Sequence, residues 1–188
     1  MLFRSDSIPA IACTDGVRSV WLNPGLLAEL SQPQLGFVLL HELGHSYVAL
    51  RYRIPIAQIT LFFFGGMAQM RAEPPGPRAE FLIAIAGPIV SLALAGGLFG
   101  LLILGDGIEP LRGLFVLGVM LGNINLTLGL FNLVPGFPLD GGRVLRAGLW
   151  AWSGDFYQAT RQASLVGQAF GLALGLLGAA LVDRKSTR

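Results

Sequence analysis

The stretch LLHELGHSYVAL, Leu39 to Leu50, places two histidines and a glutamate in a segment otherwise apolar enough for a buried or membrane-embedded helix. Such side chains are costly at low dielectric unless something compensates them. Four residues along a helix correspond to about 400°, so His41 and His45 project from nearly one face, one turn apart. At that spacing two imidazole nitrogens reach one zinc ion, with Glu42 beside the water that completes the site. A cation explains the burial, and neutral histidine is its natural ligand. A single buried histidine is ordinarily a hydrogen-bonded core residue, but this chain has 2 histidines and both fall inside one five-residue pattern.

The rest of the sequence supports a membrane setting for this segment. Of 188 residues, 53% are hydrophobic and 13% charged, and the mean hydropathy is +0.65, far from the balance of soluble domains. Three uncharged runs, Phe81 to Leu104, Gly113 to Leu139 and Gln162 to Val182, reach the roughly 20 residues that a helix needs to cross hydrocarbon. A fourth, Pro33 to Leu50, carries the histidines and suits a buried helix or a partial span; Ser31 is placed to cap it. The expected fold is therefore mostly α, a polytopic membrane bundle of about four hydrophobic helices. A short β-hairpin is expected after the histidine helix, where Ile54 to Met70 is rich in β-formers and broken at Gly65-Gly66. Residues 1–32 read as an N-terminal segment with a short strand, Val17 to Leu22; 33–182 as the membrane core; and 183–188 as a basic tail.

A formal charge of +2, with arginines scattered at segment ends, excludes a nucleic-acid-binding surface. The arginines act instead as topology signals. Arg51, Arg53, Arg71 and Arg78, and later Arg143, Arg146 and Arg161, put 51–78 and 140–161 on the cytoplasmic side, with 105–112 outside. The first fifteen residues hold no secretory-type apolar run. Cys13 has no partner for a disulfide and reads as a small apolar side chain. Gly167, Gly171 and Gly175 form a small-residue stripe, expected to pack against a helix of the same chain rather than a second copy.

A third ligand to the metal cannot be histidine, since none is left. Most of the 11 carboxylates lie in polar loops. Asp140 differs. It follows an uncharged run in FNLVPGFPLDGGRVLRA, Phe131 to Ala147, where Pro135, Gly136 and Pro138 interrupt the helix and Gly141-Gly142 let the backbone turn. Irregular backbone at membrane depth is tolerated where it lines a polar cavity. The competing reading makes Asp140 the N-cap of a helix over 141–152.

Taken in order, HELGHSYVA, FFFGGMA, IAGPIVS and FNLVPGFPLDGGRVLRA resemble the site-2 protease family of intramembrane zinc metalloproteases, over about Leu39 to Val182. The resemblance implies one zinc per chain on His41, His45 and Asp140, with Glu42 catalytic and Asn132 positioning or polarising the substrate. It implies that the Gly65-Gly66 hairpin engages substrate backbone as an added strand. It also implies a multi-pass protein of a prokaryotic cell membrane, whose partners are the bilayer and a transmembrane protein substrate, with a homodimer left open. The interval between His45 and Asp140 is too short for a PDZ insert, which points to the compact branch. Three features depart from the pattern. Residues 1–32 lack the helix that usually precedes the histidines, Ser91 stands where asparagine is common and is expected to change a helix contact, and no nucleotide-binding CBS modules follow. The chemistry implied is hydrolysis of peptide bonds within membrane segments by zinc-activated water, with Glu42 as general base. Two alternatives stand beside it: a prenyl-protease-like gluzincin using Glu80 as third ligand, and a zinc-binding membrane scaffold without catalysis.

Overall fold

The computed structural model describes residues 20–22, 32–62, 65–105 and 112–186. Their elements, in chain order, are β1 (Val20–Leu22), α1 (Gln32–Arg51), β2 (Ile56–Phe62), β3 (Gly65–Met70), α2 (Pro77–Leu104), α3 (Arg112–Asn132), α4 (Asp140–Ser153) and α5 (Phe156–Ser186). The fold is mostly helical. The expected Ser31 cap, the first residues of the Val17 to Leu22 strand, the stretch from Asp106 to Leu111 and Cys13 lie outside the described residues.

Three of the described helices are long and apolar enough to cross a membrane: Pro77–Leu104, Phe115–Asn132 and Phe156–Val182. The uncharged run that begins at Gly113 does not continue to Leu139 as a helix. It stops at Asn132, because Pro135 and Pro138 lack the amide hydrogens that further turns need. The connection 133–139 folds on its own short bonds, Gly136 N to Val134 O at 2.8 Å and Leu139 N to Gly136 O at 2.9 Å, and its Phe137–Pro138 peptide is cis. α4 then starts at Asp140. Gly141 and Gly142 do not serve as a turn. They are buried in the first turn of α4, where a Cβ on Gly141 would lie 2.3 Å from the carbonyl oxygens of Leu133 and Val134. Their missing side chains allow the connection to fold back against the helix it precedes.

β2 and β3 pair antiparallel from Ile56 opposite Met70 to Phe62 opposite Gly65, and β1 adds parallel to β2. The sheet order β1-β2-β3 leaves β3 at one edge among the described residues. The apolar core lies where α1, the first residues of β2 and α2 meet, with Leu35, Val38, Ala49, Ile54, Ile56, Ile59 and Ile83 buried together. α2 packs against α1, α3 and α4, so it is the central post of the bundle.

α4 and α5 meet at a tight corner closed by Gly154 in the left-handed region, φ 74°. Asp155 Oδ1 accepts the amide hydrogens of Tyr157 and Gln158, which caps the start of α5. Of the glycine stripe on α5, only Gly167 meets another element: a Cβ there would come 2.9 Å from Gly136 Cα, whereas one on Gly171 or Gly175 would meet nothing within 4 Å. Beyond that contact α5 presents Leu172, Leu174, Leu176, Leu177 and Leu181 outward, as suits a surface covered by lipid.

Candidate metal centre

His41 and His45 lie one turn apart on α1, buried to 1% and 4% exposure. Their Nε2 atoms are 3.2 Å apart, and Asp140 Oδ2 lies 3.1 Å from each. Helix periodicity brings the two imidazoles together, and the break after Asn132 brings Asp140 to them. The N-cap reading of Asp140 does not hold in the structure. Leu139 occupies the cap position with no side-chain cap bond, and the Asp140 carboxylate faces the histidines.

The outer nitrogens of both rings are committed. His45 Nδ1 donates to the Ile83 carbonyl at 2.7 Å, and His41 Nδ1 bonds Ser91 Oγ at 2.9 Å. An imidazole that donates from Nδ1 carries its lone pair on Nε2. Asp140 Oδ2 faces both of these Nε2 atoms at 3.1 Å, acceptor toward acceptor. Two ring nitrogens and a carboxylate oxygen therefore converge on one point with no hydrogen between them, an arrangement that calls for a cation.

Zinc suits this triangle. Bonds of 2.0–2.1 Å in tetrahedral arrangement separate neighbouring ligand atoms by about 3.3 Å, close to the 3.1–3.2 Å spacings found here. Space is kept for an ion by Gly87 on α2. A Cβ at that position would stand 2.2 Å from His45 Nε2 and 2.6 Å from His41 Nε2, filling the space that the two nitrogens face. Glu42 is buried as well, and its carboxylate, with the two imidazoles, forms a group whose ligand atoms lie within 4.8 Å of one another. The triangle of His41, His45 and Asp140 is the tighter set, with Glu42 beside it.

The other residues singled out from sequence fall elsewhere. Asn132, at the end of α3, is buried, and its Nδ2 donates back to Leu128 O at 3.0 Å. Glu80 does not join the histidines, which removes the gluzincin alternative. Its Oε1 accepts from Arg143 Nε at 3.2 Å and from Arg146 Nη2, both on α4, and the carboxylate is fully buried. A buried carboxylate with two guanidinium partners is held as a structural ion pair rather than as a metal ligand.

Sequence reasoning missed three contributors, all on α2: Ile83, Gly87 and Ser91. Ser91 is a direct hydrogen-bond partner of His41, not merely a helix contact. Their spacing of four was visible, but nothing in the sequence fixed which face of α2 met the histidines.

The profile of peptidase family M50 matches residues 35–115 and 107–177. The protein sll0528 of Synechocystis sp. is 49% identical over 145 residues, covering 75% of this chain and 37% of that protein. Zinc metalloprotease MJ0392 of Methanocaldococcus jannaschii is 41% identical over 141 residues, covering 75% of this chain and 40% of the relative. This chain thus spans well under half the length of these relatives. Among solved structures, the site-2 protease from Methanocaldococcus jannaschii superposes with a TM-score of 0.64 at 31% identity, over 87% of this chain and 82% of that one.

Proposed function

The chain belongs to peptidase family M50, and on that premise we propose that it is an intramembrane zinc metalloprotease that hydrolyses peptide bonds within transmembrane segments of other membrane proteins. The observation that carries the reading is the triangle of His41 Nε2, His45 Nε2 and Asp140 Oδ2 at 3.1–3.2 Å, built among helices apolar enough to cross a bilayer. His41, His45 and Asp140 would hold one zinc ion. When bound, the ion lowers the pKa of water in its open position to about 7 and stabilises negative charge on the substrate carbonyl.

The chain's own groups perform the remaining steps. Glu42, the residue after His41 on the same helix, takes the proton of the attacking water and returns it to the leaving amine. Asn132, at the end of α3, orients the substrate carbonyl. The bond to Leu128 takes one of its two amide hydrogens, and the second N–H can donate to that carbonyl. Peptide bonds in a helix are shielded by their own hydrogen bonds, so the substrate must unwind before it is cut. The edge strand β3 offers main-chain groups to the unwound segment, as in strand addition elsewhere. The protein sits in a prokaryotic cell membrane as a multi-pass chain, with the starts of α2 and α5 on the cytoplasmic side, as the arginines suggest.

Zinc content of the detergent-purified protein and of Asp140→Ala, alongside cleavage of a model transmembrane substrate, tests this reading. About one zinc per chain, lost with Asp140 and accompanied by cleavage, is expected. Full zinc in both proteins would transfer the third-ligand role away from Asp140. Zinc without cleavage would favour a zinc-binding scaffold.

A further inference from the structure

One face of α2 lies along the two histidines with one contact per turn. Ile83 supplies a carbonyl oxygen to His45 Nδ1 at 2.7 Å, Gly87 leaves space beside both Nε2 atoms, and Ser91 Oγ meets His41 Nδ1 at 2.9 Å. The spacing 83, 87, 91 follows the four-residue row of a helix surface. The order is reversed relative to α1, since His41 meets Ser91 and His45 meets Ile83. The two contacts differ in kind: a backbone carbonyl is present whatever residue stands at 83, whereas the hydroxyl at 91 belongs to the side chain alone. Ser91 is fully buried. It is covered by α3 at Gly129, where a Cβ would lie 3.3 Å from Ser91 Cβ, so water has little room to replace a lost hydroxyl.

We propose that Ser91 is a positioning residue for the metal centre: its hydroxyl accepts the Nδ1 hydrogen of His41, fixes that ring's tautomer and rotation, and so keeps the Nε2 lone pair aimed at the point shared with His45 and Asp140. The inference rests on the metal-site reading above and adds to it the group that sets ligand strength. Without the hydroxyl, the neutral His41 ring can carry its proton on either nitrogen and rotate about its Cβ bond. His45, held by the Ile83 carbonyl, keeps its tautomer. The centre then has one well-ordered imidazole where it needs two. Partners of this kind contribute about 10- to 100-fold to metal affinity.

The test is zinc affinity by chelator competition, with the visible spectrum of the cobalt-substituted protein as a second readout of coordination. Ser91→Ala is expected to weaken zinc binding by roughly 10- to 100-fold and to reduce the intensity of the tetrahedral cobalt bands. Ser46→Ala serves as a control. Ser46 Oγ is also buried and next to a histidine, but it has no hydrogen-bond partner among the described residues, so affinity is expected to stay within about twofold of wild type. Ser91→Thr and Ser91→Val separate hydroxyl from packing, because they differ little in volume and only threonine keeps the hydroxyl. Tighter zinc binding by the threonine variant than by the valine variant supports the proposal, even if both pack less well than serine. Equal affinity in wild type and Ser91→Ala, or in the threonine and valine variants, overturns it while leaving the metal centre intact. Failure of the wild type to bind zinc overturns the functional reading and this inference together.

Discussion

Three residues within 3.2 Å of one another make the centre, and each neighbour's role gives a distinct expectation. Glu42→Gln is expected to keep the full zinc content while cleavage falls by roughly 10²–10⁴-fold, the range lost with a general base. Elemental analysis and a cleavage assay on the same preparation check both halves. Gly87→Ala is expected to lose zinc with all three ligands still in place, since its methyl would stand 2.2 Å from His45 Nε2. Retained zinc in that variant would show that α2 can move away from the histidines. At this scale the sequence was informative where chemistry is tied to periodicity. The i, i+4 histidines predict their own convergence, and Asp140 stood out because it interrupts an apolar stretch at a helix break. Gly87 and Ser91 were not legible, because their meaning depends on the rotation of α2 about its axis, and α2 is apolar nearly all round. Glu80 was misread as a candidate ligand because the sequence does not show that two arginines more than sixty positions later reach it.

Among the elements, α4 is the one whose placement decides the site, because its first residue is Asp140. Two features hold it. The backbone of 133–134 presses against Gly141, and Arg143 and Arg146 close on Glu80 of α2. Arg146 also lies over the rings of Phe137 and Phe156, at 5.3 and 4.9 Å, so one side chain joins α2, α4, α5 and the loop before Asp140. Removing the shared carboxylate leaves two largely buried guanidinium groups without their counter-charge. Glu80→Ala is accordingly expected to destabilise the fold by about 3–5 kcal/mol, measurable as a lower midpoint of thermal unfolding in detergent. An unchanged midpoint would mean that solvent reaches the arginines. Hydropathy located α2, α3 and α5 but ran α3 on to Leu139, since apolar composition cannot distinguish a helix from the loop that ends it. The prolines at 135 and 138 carried that information, and the glycines at 141 and 142 revealed close packing only once the chain was folded.

For the whole molecule, the bundle has a common end. Glu80 of α2, Arg146 of α4 and Phe156 of α5 meet there, and the exposed aromatics Trp152 and Tyr157 mark the level where such rings settle between lipid and water. The sequence showed a membrane protein from its composition and its apolar runs, but not this convergence, which arises from contacts between helices far apart in the chain. The close approach of Gly136 to Gly167 then provides a ruler. Eleven residues of α5 separate Phe156 from Gly167, and at 1.5 Å per residue they measure roughly 16 Å from the common end to the loop before Asp140. Along α2, the seven residues from Glu80 to Gly87 give about 10 Å to the space beside the histidines. The two helices thus set the histidines and the loop before Asp140 roughly 10–16 Å from the common end, inside the span of a hydrocarbon layer of about 30 Å. Under the proposed function, the bond cut in a substrate helix is expected about seven to eleven residues inside its membrane segment, counted from the same face. Mass spectrometry of the products would locate it, and cleavage at the membrane edge would contradict that depth. Lengthening the substrate's apolar segment at its far end should leave the cut in place, whereas lengthening it at the near end should move the cut by the number of residues added: the enzyme would select its bond by depth as well as by sequence.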